Sequence, residues 1–267
     1  MDFTDVTEVF VNENSGWAEA TKVLAAFTDA AVAAGVKAKV DPVFVPPMEM
    51  NLSPVVSFFT PELVDGRMVP AAIVTGIVNL DPQKGKKYTE IPVSVHAIKT
   101  TRGEIMPLTA PLIEDEPYTV KFCRDESFKK TVKHEASGQS FSMPPDSPDQ
   151  DQKNPTEGLK ARLETVKNGI LGEPGRSVTI DEYRVCWDAV TPNQDFVITA
   201  HPHCENLYVA TAGSFHGWKF MPTIGRYVVD MLDNELEPTL AKRWAWDRSN
   251  EGAAHGNLLP TLELRDS

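Results

Sequence analysis

The chain has 267 residues, with 26 lysines and arginines against 38 aspartates and glutamates, and therefore a formal net charge of −12. This length suffices to bury a substantial core, and a hydrophobic content of 41% excludes a wholly disordered or fibrous protein. The acidic excess argues against a nucleic-acid partner, and the longest apolar run, residues 71–78, is too short for a membrane span.

The first predicted element is a helix over residues 17–34, where apolar side chains recur close to the helical period. Gly35 follows at the position where a left-handed C-cap is favourable. The prolines between residues 42 and 70 exclude a long helix there. Alternating apolar and polar residues then predict two half-buried strands, at 91–97 and 118–123.

The second half of the chain begins with a polar, proline-rich segment at residues 135–158, which predicts a long mobile loop or linker. A helix over 159–168 should follow and stop at Gly169. Further strands are predicted at 179–187, 196–200 and 207–212, followed by helices at 217–232 and 237–244.

The three cysteines are an odd number in a chain of this size, which favours a reducing compartment over a disulfide framework. Residues 1–5 lack the basic and apolar regions of a secretory signal, and residues 265–267 are not a peroxisomal targeting sequence. We therefore expect an intracellular, cytoplasmic location.

The turn at residues 211–217 leads from an apolar strand into a helix. Such a turn directs backbone N–H groups and the positive end of the helix dipole at one point, which favours an anionic or electron-rich ligand. Lys219 lies in the first helical turn, where a cation is unfavourable unless a ligand anion compensates it. The alternative is that Gly213 and Gly217 only form a tight turn and that Lys219 is solvated.

The sequence His201-Pro-His203-Cys204 contains three residue types that bind zinc. Structural zinc sites need a second pair of ligands at a typical spacing, and no such pair is present. We therefore predict no metal site.

Two ordered motifs carry a resemblance to a known family. The first, from Cys186, is Cys-Trp-Asp-x-x-Thr-Pro-Asn-x-Asp-Phe, and the second, from Gly213, is Gly-Ser-x-His-Gly-x-Lys-Phe-x-Pro-x-Ile-Gly. Over about residues 184–246 the chain resembles the C-terminal part of fungal FAD-dependent amine oxidases. These are the fructosyl amino acid oxidases and the saccharopine or pipecolate oxidases of the monomeric sarcosine oxidase family.

The resemblance implies an α+β fold with a mixed, mostly antiparallel sheet flanked by helices. Such a fold is the substrate-domain half of a flavoprotein related to glutathione reductase and D-amino acid oxidase. Residues 1–183 would form the substrate-domain portion, and residues 184–267 the C-terminal segment that contacts the flavin.

The family begins with a G-x-G-x-x-G turn that binds the FAD pyrophosphate, and this pattern is absent from the sequence. We therefore expect a truncated oxidase that lacks the dinucleotide-binding start. The apolar helix face of Met221, Ile224 and Val228 would then be partly exposed and would favour self-association or a separate FAD-binding half.

The resemblance also implies roles for individual residues. Cys186 matches the cysteine that is joined by a thioether to the 8α-methyl group of the flavin; the alternative is an inert thiol on a strand. Lys219 matches a lysine that binds the substrate carboxylate near the flavin. The other matched positions near the flavin are Asp188 and the turn residues Ser214, Phe215, His216 and Gly217.

Lys121, on the predicted strand at 118–123, matches the lysine that promotes reduction of O₂. An ammonium beside the reduced flavin stabilises the developing superoxide charge. Asp125 stands where relatives carry a glutamate that contacts substrate, so specificity for glycated amino acids does not follow. The alternative for Lys121 is a solubilising lysine on an edge strand.

Two functions follow from these residues. The first is an FAD-dependent oxidase that oxidises the C–N bond of a secondary amine or N-substituted amino acid, with O₂ as acceptor. The second is a non-catalytic remnant or interaction protein that no longer binds FAD, which the missing G-x-G-x-x-G pattern favours.

Overall fold

The computed structural model describes residues 1–14, 18, 20–37, 67–88, 91–98, 102–107, 118–133, 138, 140–144, 152–202, 204–248, 260 and 262–264. Over these residues the fold is α+β, with mostly antiparallel strand pairs and helices, as the sequence predicts. None of the described helices combines the length and apolar character needed to cross a membrane.

The described α-helices are α1 (Ala20–Ala33), α2 (Pro82–Gly85), α3 (Glu157–Leu171), α4 (Met221–Leu232) and α5 (Pro238–Arg243). Short 3₁₀ helices cover Lys86–Tyr88, Glu173–Ser177 and Gly217–Phe220. The strands are β1 (Val69–Leu80), β2 (Ser94–His96), β3 (Gly103–Pro107), β4 (Tyr118–Arg124), β5 (Phe128–Lys129), β6 (Thr131–Lys133), β7 (Ser140–Ser142), β8 (Glu182–Val190), β9 (Val197–Ala200), β10 (Tyr208–Thr211) and β11 (Leu262–Glu263).

The chain divides into two compact units, each assembled from three segments. The first unit comprises Met1–Phe44, Val74–Asp125 and Gln152–Val185, and the second comprises Val45–Ile73, Glu126–Asp151 and Cys186–Ser267. The chain passes from one unit to the other within β1 and within β8. The functional division at residue 184 stays a prediction.

In the first unit, strand β4 pairs antiparallel with β1 on one side and with β3 on the other, and β3 pairs with β2. Because side chains alternate along a strand, Val120 and Phe122 of β4 lie on one face of the sheet and Lys121 on the other. Helix α3 packs on the face of Val120 and Phe122. Its buried residues Leu159, Leu163, Val166 and Ile170 complete that core.

Gly103, at the start of β3, lies directly under helix α3. A Cβ atom there would lie 2.5 Å from the carbonyl oxygen of Cys123 and 2.6 Å from the side chain of Val166. We expect Gly103→Ala to lower the free energy of unfolding by about 1–3 kcal/mol, measured by urea denaturation, because the core has no room for the added methyl group.

The matched control for this substitution is Gly225→Ala in helix α4, where an added Cβ would meet no heavy atom within 4 Å. Since alanine favours a helix more than glycine does, this variant should gain about 1 kcal/mol. An unchanged unfolding midpoint for Gly103→Ala would contradict the close packing of α3 on the sheet.

The second unit contains the antiparallel pair of β9 and β10, helices α4 and α5, and the hairpin of β6 and β7. Strand β5 pairs with β1 at Ala72 and runs parallel to β11. One core cluster consists of Met68, Ala189, Val197, Val209, Ala212 and Trp246. A second consists of Phe196, Ile198, Met231 and Trp244.

The apolar face of helix α4 packs on this second cluster. Met221, Ile224 and Val228, predicted to be partly exposed, are half-buried, and Ile224 and Val228 pack against this cluster. Val229 and Leu232 are the more exposed apolar side chains of the helix.

Several predicted boundaries shift. Helix α1 begins at Ala20 and is followed by Gly35 with a φ of +96°, as predicted for the C-cap. Residues 15–17 and 38–66 lie outside the described part, so the start predicted at Trp17 is not described. The predicted strands at 91–97 and 179–187 are observed as β2 and β8, with different ends.

One prediction in the middle of the chain is wrong, and a second stays a prediction over the residues that are not described. Helix α3 does not stop at Gly169; it begins after Thr156, whose side chain accepts a hydrogen bond from the Leu159 amide, and ends before Gly172, which has a φ of +68°. Ser140–Ser142 form strand β7, so the segment 135–158 is not irregular throughout, and its residues 135–137, 139 and 145–151 lie outside the described part.

Candidate active site

The turn between β10 and the 3₁₀ helix at Gly217–Phe220 has an unusual backbone. Ala212, Ser214 and Phe215 have φ angles of +69°, +47° and +62°, in the left-handed region that L-residues rarely adopt. Such strain persists only where the surrounding structure imposes it, and it concentrates at functional sites.

Asp188, on strand β8, is one of the groups that hold this turn in its left-handed conformation. Its carboxylate accepts hydrogen bonds from the backbone N–H groups of Ala189 and Phe215, both at 2.7 Å. A Cβ atom at Gly213 would lie 3.0 Å from Oδ2 of Asp188, so glycine permits this close approach. Burial raises the pKa of the Asp188 carboxyl, against the two hydrogen bonds and nearby His216, which lower it.

Ser214 is completely buried and ties the turn to β8 by two further bonds. Its N–H donates to the carbonyl oxygen of Ala189 at 3.1 Å, and its Oγ accepts from the Thr191 N–H at 3.3 Å. The His216 N–H donates to the Gly213 carbonyl oxygen at 2.9 Å. The turn is thus held by β8 while the side chains of Phe215 and His216 stay half-buried.

We expect Asp188→Asn to lower the free energy of unfolding by about 1–3 kcal/mol, because an amide NH₂ group cannot accept the backbone hydrogen bond that a carboxyl oxygen accepts in either protonation state. Since the pKa of Asp188 is raised in the folded protein, ionisation of this carboxyl lowers stability as the pH rises through that pKa. The difference in unfolding free energy between wild type and variant should therefore be largest below the pKa of an ordinary aspartate and should decrease at higher pH.

Urea denaturation over a series of pH values measures this difference. Asp233→Asn, at an exposed position after α4, is the control and should change stability by less than about 0.5 kcal/mol. Equal unfolding free energies for wild type and Asp188→Asn at every pH would show that the carboxylate does not hold the turn.

Cys186 lies on β8 two residues before Asp188. Residues two apart point to the same side of a strand, so Cys186 lies on the face of β8 from which Asp188 reaches the turn. Its thiol is half-buried and not part of a disulfide. The second unit therefore combines a reduced thiol with a rigid turn.

Lys219 belongs to the 3₁₀ helix that follows the turn, and its side chain is exposed. Its Nζ atom lies 5.6 Å from the ring centroid of Phe220. The predicted single helix over 217–232 is in fact this 3₁₀ segment followed by α4, so Lys219 precedes the α-helix instead of lying in its first turn.

No sequence motif indicates Arg248, because its partners lie about 50 residues earlier. Its guanidinium donates to the backbone carbonyl oxygens of Asp195 and Phe196 and, at 3.0 Å, to Oδ1 of Asn193. Burial lowers the pKa of Arg248. Arg248 thus fixes the loop of motif residues that follows β8.

In the first unit, one sheet face carries Lys121. Arg102 and Glu104 lie on the same face, since Glu104 is the partner of Cys123 in the register of β3 and β4. Nε of Arg102 lies 2.5 Å from Oδ2 of Asp125, just after β4. Burial raises the pKa of Glu104, nearby Asp125 raises it further, and nearby Lys121 lowers it.

The predicted site residues therefore fall into two groups. The second unit brings together Asp188, Ser214, Phe215, His216 and Gly217, with Cys186 on the same strand face and Lys219 after the turn. In the first unit Lys121 lies on β4 and Asp125 just after it. Arg102, which is paired with Asp125, and Glu104, which lies opposite Cys123, were indicated by no sequence motif. Among the residues that the structure describes, no group of three or more His, Cys, Asp or Glu side chains could hold a metal ion.

The sequence is similar to a family of known proteins and to individual members of it. A family profile described as FAD dependent oxidoreductase matches residues 2–231. L-saccharopine oxidase of Schizosaccharomyces pombe is 30% identical over 70 residues, which cover 26% of this chain and 16% of that protein. Monomeric sarcosine oxidase of Streptomyces avermitilis is 34% identical over 74 residues, which cover 27% of this chain and 18% of that protein.

Among solved structures, fructosyl peptide oxidase from E. terrenum shares the fold, with a TM-score of 0.63 and 22% identity. The superposition covers 78% of this chain and 47% of that one. The chain thus spans about half the length of this structural neighbour, and the matched segments span less than a fifth of the two curated relatives.

Proposed function

The chain belongs to the family of FAD-dependent oxidoreductases, and from this membership we propose that it oxidises the C–N bond of a small secondary amine or N-substituted amino acid, with O₂ as electron acceptor. The observation that carries the proposal is the arrangement around β8. The Cys186 thiol shares a strand face with Asp188, whose carboxylate accepts a hydrogen bond from the Phe215 N–H at 2.7 Å.

The chemistry of these residues fits a covalently held flavin. A thiolate is the soft nucleophile that a thioether bond needs, and Cys186 is half-buried on a regular strand. Because the turn of Ser214 and Phe215 is fixed to β8, its backbone offers a rigid surface for a flat ring. Bound FAD would accept a hydride from the amine carbon and return the electrons to O₂.

The lysines have electrostatic roles in this proposal. Lys219, exposed after the turn, binds the carboxylate of an amino acid substrate. For Lys121, on the charged face of the first unit, the proposed role is to stabilise the negative charge that develops on O₂. Asp188 and Ser214 act on the backbone and hold the turn in place.

Purification in the presence of FAD tests the proposal directly. We expect a yellow protein whose flavin stays with the polypeptide after acid precipitation. The flavin should lose its colour when an N-alkylated amino acid is added in the absence of oxygen. In air, the same mixture should produce hydrogen peroxide. Saccharopine, pipecolic acid, N-methylglycine and a fructosyl amino acid form a suitable substrate panel.

The second function, an interaction protein without flavin, is distinguished from the first by flavin uptake. A chain that stays colourless after incubation with FAD, and takes up none in equilibrium dialysis, would support this second function and contradict the first.

A further inference from the structure

Arg248 binds the loop that follows β8 at several points. Its Nη2 atom donates to Oδ1 of Asn193 and to the carbonyl oxygen of Asp195, both at 3.0 Å. Its Nη1 atom donates to the carbonyl oxygens of Phe196, at 2.6 Å, and of Ala245, at 3.3 Å. One planar guanidinium therefore holds this loop against the chain that follows helix α5.

A first set of contacts leads from this loop to the left-handed turn through Thr191. Oδ1 of Asn193 also accepts a hydrogen bond from Oγ1 of Thr191 at 3.3 Å. The N–H of Thr191 donates in turn to Oγ of Ser214 at 3.3 Å, and both of these residues are completely buried. Because a buried polar group is costly to leave without its hydrogen bond, a shift of Asn193 is expected to displace Ser214 as well.

A second set of contacts leads to the end of the turn through Phe196. The centroid of its ring lies 6.2 Å from that of His216 and 5.2 Å from that of Phe220. A Cβ atom at Gly217 would lie 3.5 Å from Cε1 of Phe196, so the ring packs directly on the chain there. Since the carbonyl oxygen of Phe196 accepts from Nη1 of Arg248, the two sets of contacts begin at different atoms of the same guanidinium.

We propose that Arg248 is a positioning residue for the flavin, which fixes residues 214–217 in the conformation that receives the flavin ring. The inference rests on the proposed function, which gives Arg248 no role. It acts through Asn193 and Phe196, so its effect on the turn is distinct from the direct hydrogen bond that Asp188 accepts.

Hydrogen exchange of the protein without FAD, followed by NMR, tests the positioning. Arg248→Lys keeps the positive charge but replaces the planar fork with one ammonium group, which cannot make all four hydrogen bonds. The amides of residues 214–216 should then exchange roughly 5- to 30-fold faster than in wild type, whereas those of strand β10 should change by less than about twofold.

Arg243→Lys is the matched control. Its side chain is 60% exposed, and its Nε atom donates to the carboxylate of Asp195, in the same loop, at 2.7 Å. This variant should leave the exchange of both sets of amides unchanged. Asn193→Ala retains the guanidinium and removes the first set of contacts, so the amide of Thr191 should exchange faster in it even if Arg248→Lys does not fold.

The spectrum of bound flavin provides a readout that a merely structural role would not change. In protein loaded with FAD, the visible circular dichroism of the flavin depends on the groups that its ring contacts. Arg248→Lys should alter this spectrum, and Arg243→Lys should reproduce that of wild type. Equal acceleration in β10 and in the turn, wild-type exchange at residues 214–216, or a wild-type flavin spectrum in Arg248→Lys would overturn the inference.

Flavin uptake separates this inference from the proposed function. A protein that takes up no FAD, but in which Arg248→Lys accelerates exchange in the turn alone, would overturn the oxidase and leave Arg248 as the residue that positions the turn. A yellow, active oxidase in which Arg248→Lys has wild-type exchange and a wild-type flavin spectrum would retain the oxidase and reject the role of Arg248.

Discussion

Replacing Cys186 with alanine is expected to abolish acid-stable attachment of flavin to the polypeptide. A thioether bond needs the sulfur atom, and no neighbouring side chain on that face of β8 offers another thiol. After precipitation in acid, the flavin absorbance of wild type should stay in the pellet, whereas that of Cys186→Ala should be entirely in the supernatant. Mass spectrometry of the peptide containing residue 186 should show the flavin adduct in wild type alone.

Cys204→Ala is the matched control. Cys204 is also half-buried, belongs to the second unit and is not in a disulfide, but it precedes β10 instead of lying on β8. The control should retain the adduct. Flavin that stays in the pellet with Cys186→Ala, or leaves it with Cys204→Ala, would show that position 186 is not the attachment site.

Lys121→Met is expected to slow reoxidation of the reduced flavin by about 10²- to 10³-fold, a loss typical of removing one preorganised charge from a reacting centre. Methionine keeps the length of the side chain and removes the ammonium. Reduction of the flavin by amine under anaerobic conditions should change much less, since the role proposed for the lysine is in the reaction with oxygen and not in substrate oxidation. Stopped-flow mixing of reduced enzyme with oxygenated buffer measures the two half-reactions separately.

The control for this charge removal is Lys84→Met. Lys84 belongs to the first unit, and its side chain is 73% exposed beside Asp81. Its replacement should leave both half-reactions unchanged. Reoxidation at the wild-type rate in Lys121→Met would remove that lysine from the oxygen chemistry and favour a purely solubilising role.

The sequence predicts the elements whose two faces differ. Strand β4 alternates between buried residues such as Phe122 and half-buried ones such as Lys121, and helix α4 has one apolar side, so both show their period. The sequence pattern does not predict strand β1, because most of its 12 residues are buried and both faces are apolar, so the run shows no alternation. Gly169 did not end helix α3, because a glycine inside a helix is tolerated where the flanking residues Val166 and Ile170 are buried in the core.

Residues of the candidate site could be predicted only where a sequence motif contains them. Asp188 and the turn of Ser214 and Phe215 could be named because two motifs carry them, although their contact joins residues 27 positions apart. Glu104 could not be named, since its position depends on the register of β3 against β4. Register is set by the hydrophobic pattern and by the connection between two strands, and the sequence pattern predicts no strand over Gly103–Pro107.

The left-handed backbone of Phe215 has a consequence for engineering this protein. At a φ of +62° an L-residue is less stable than glycine by about 1 kcal/mol or more, so the aromatic ring is retained at the expense of thermal tolerance. If that ring borders the flavin, replacing it with glycine would both stabilise the fold and change the shape of the flavin site. Screens for heat resistance would then favour glycine at position 215, whereas screens for turnover would favour phenylalanine.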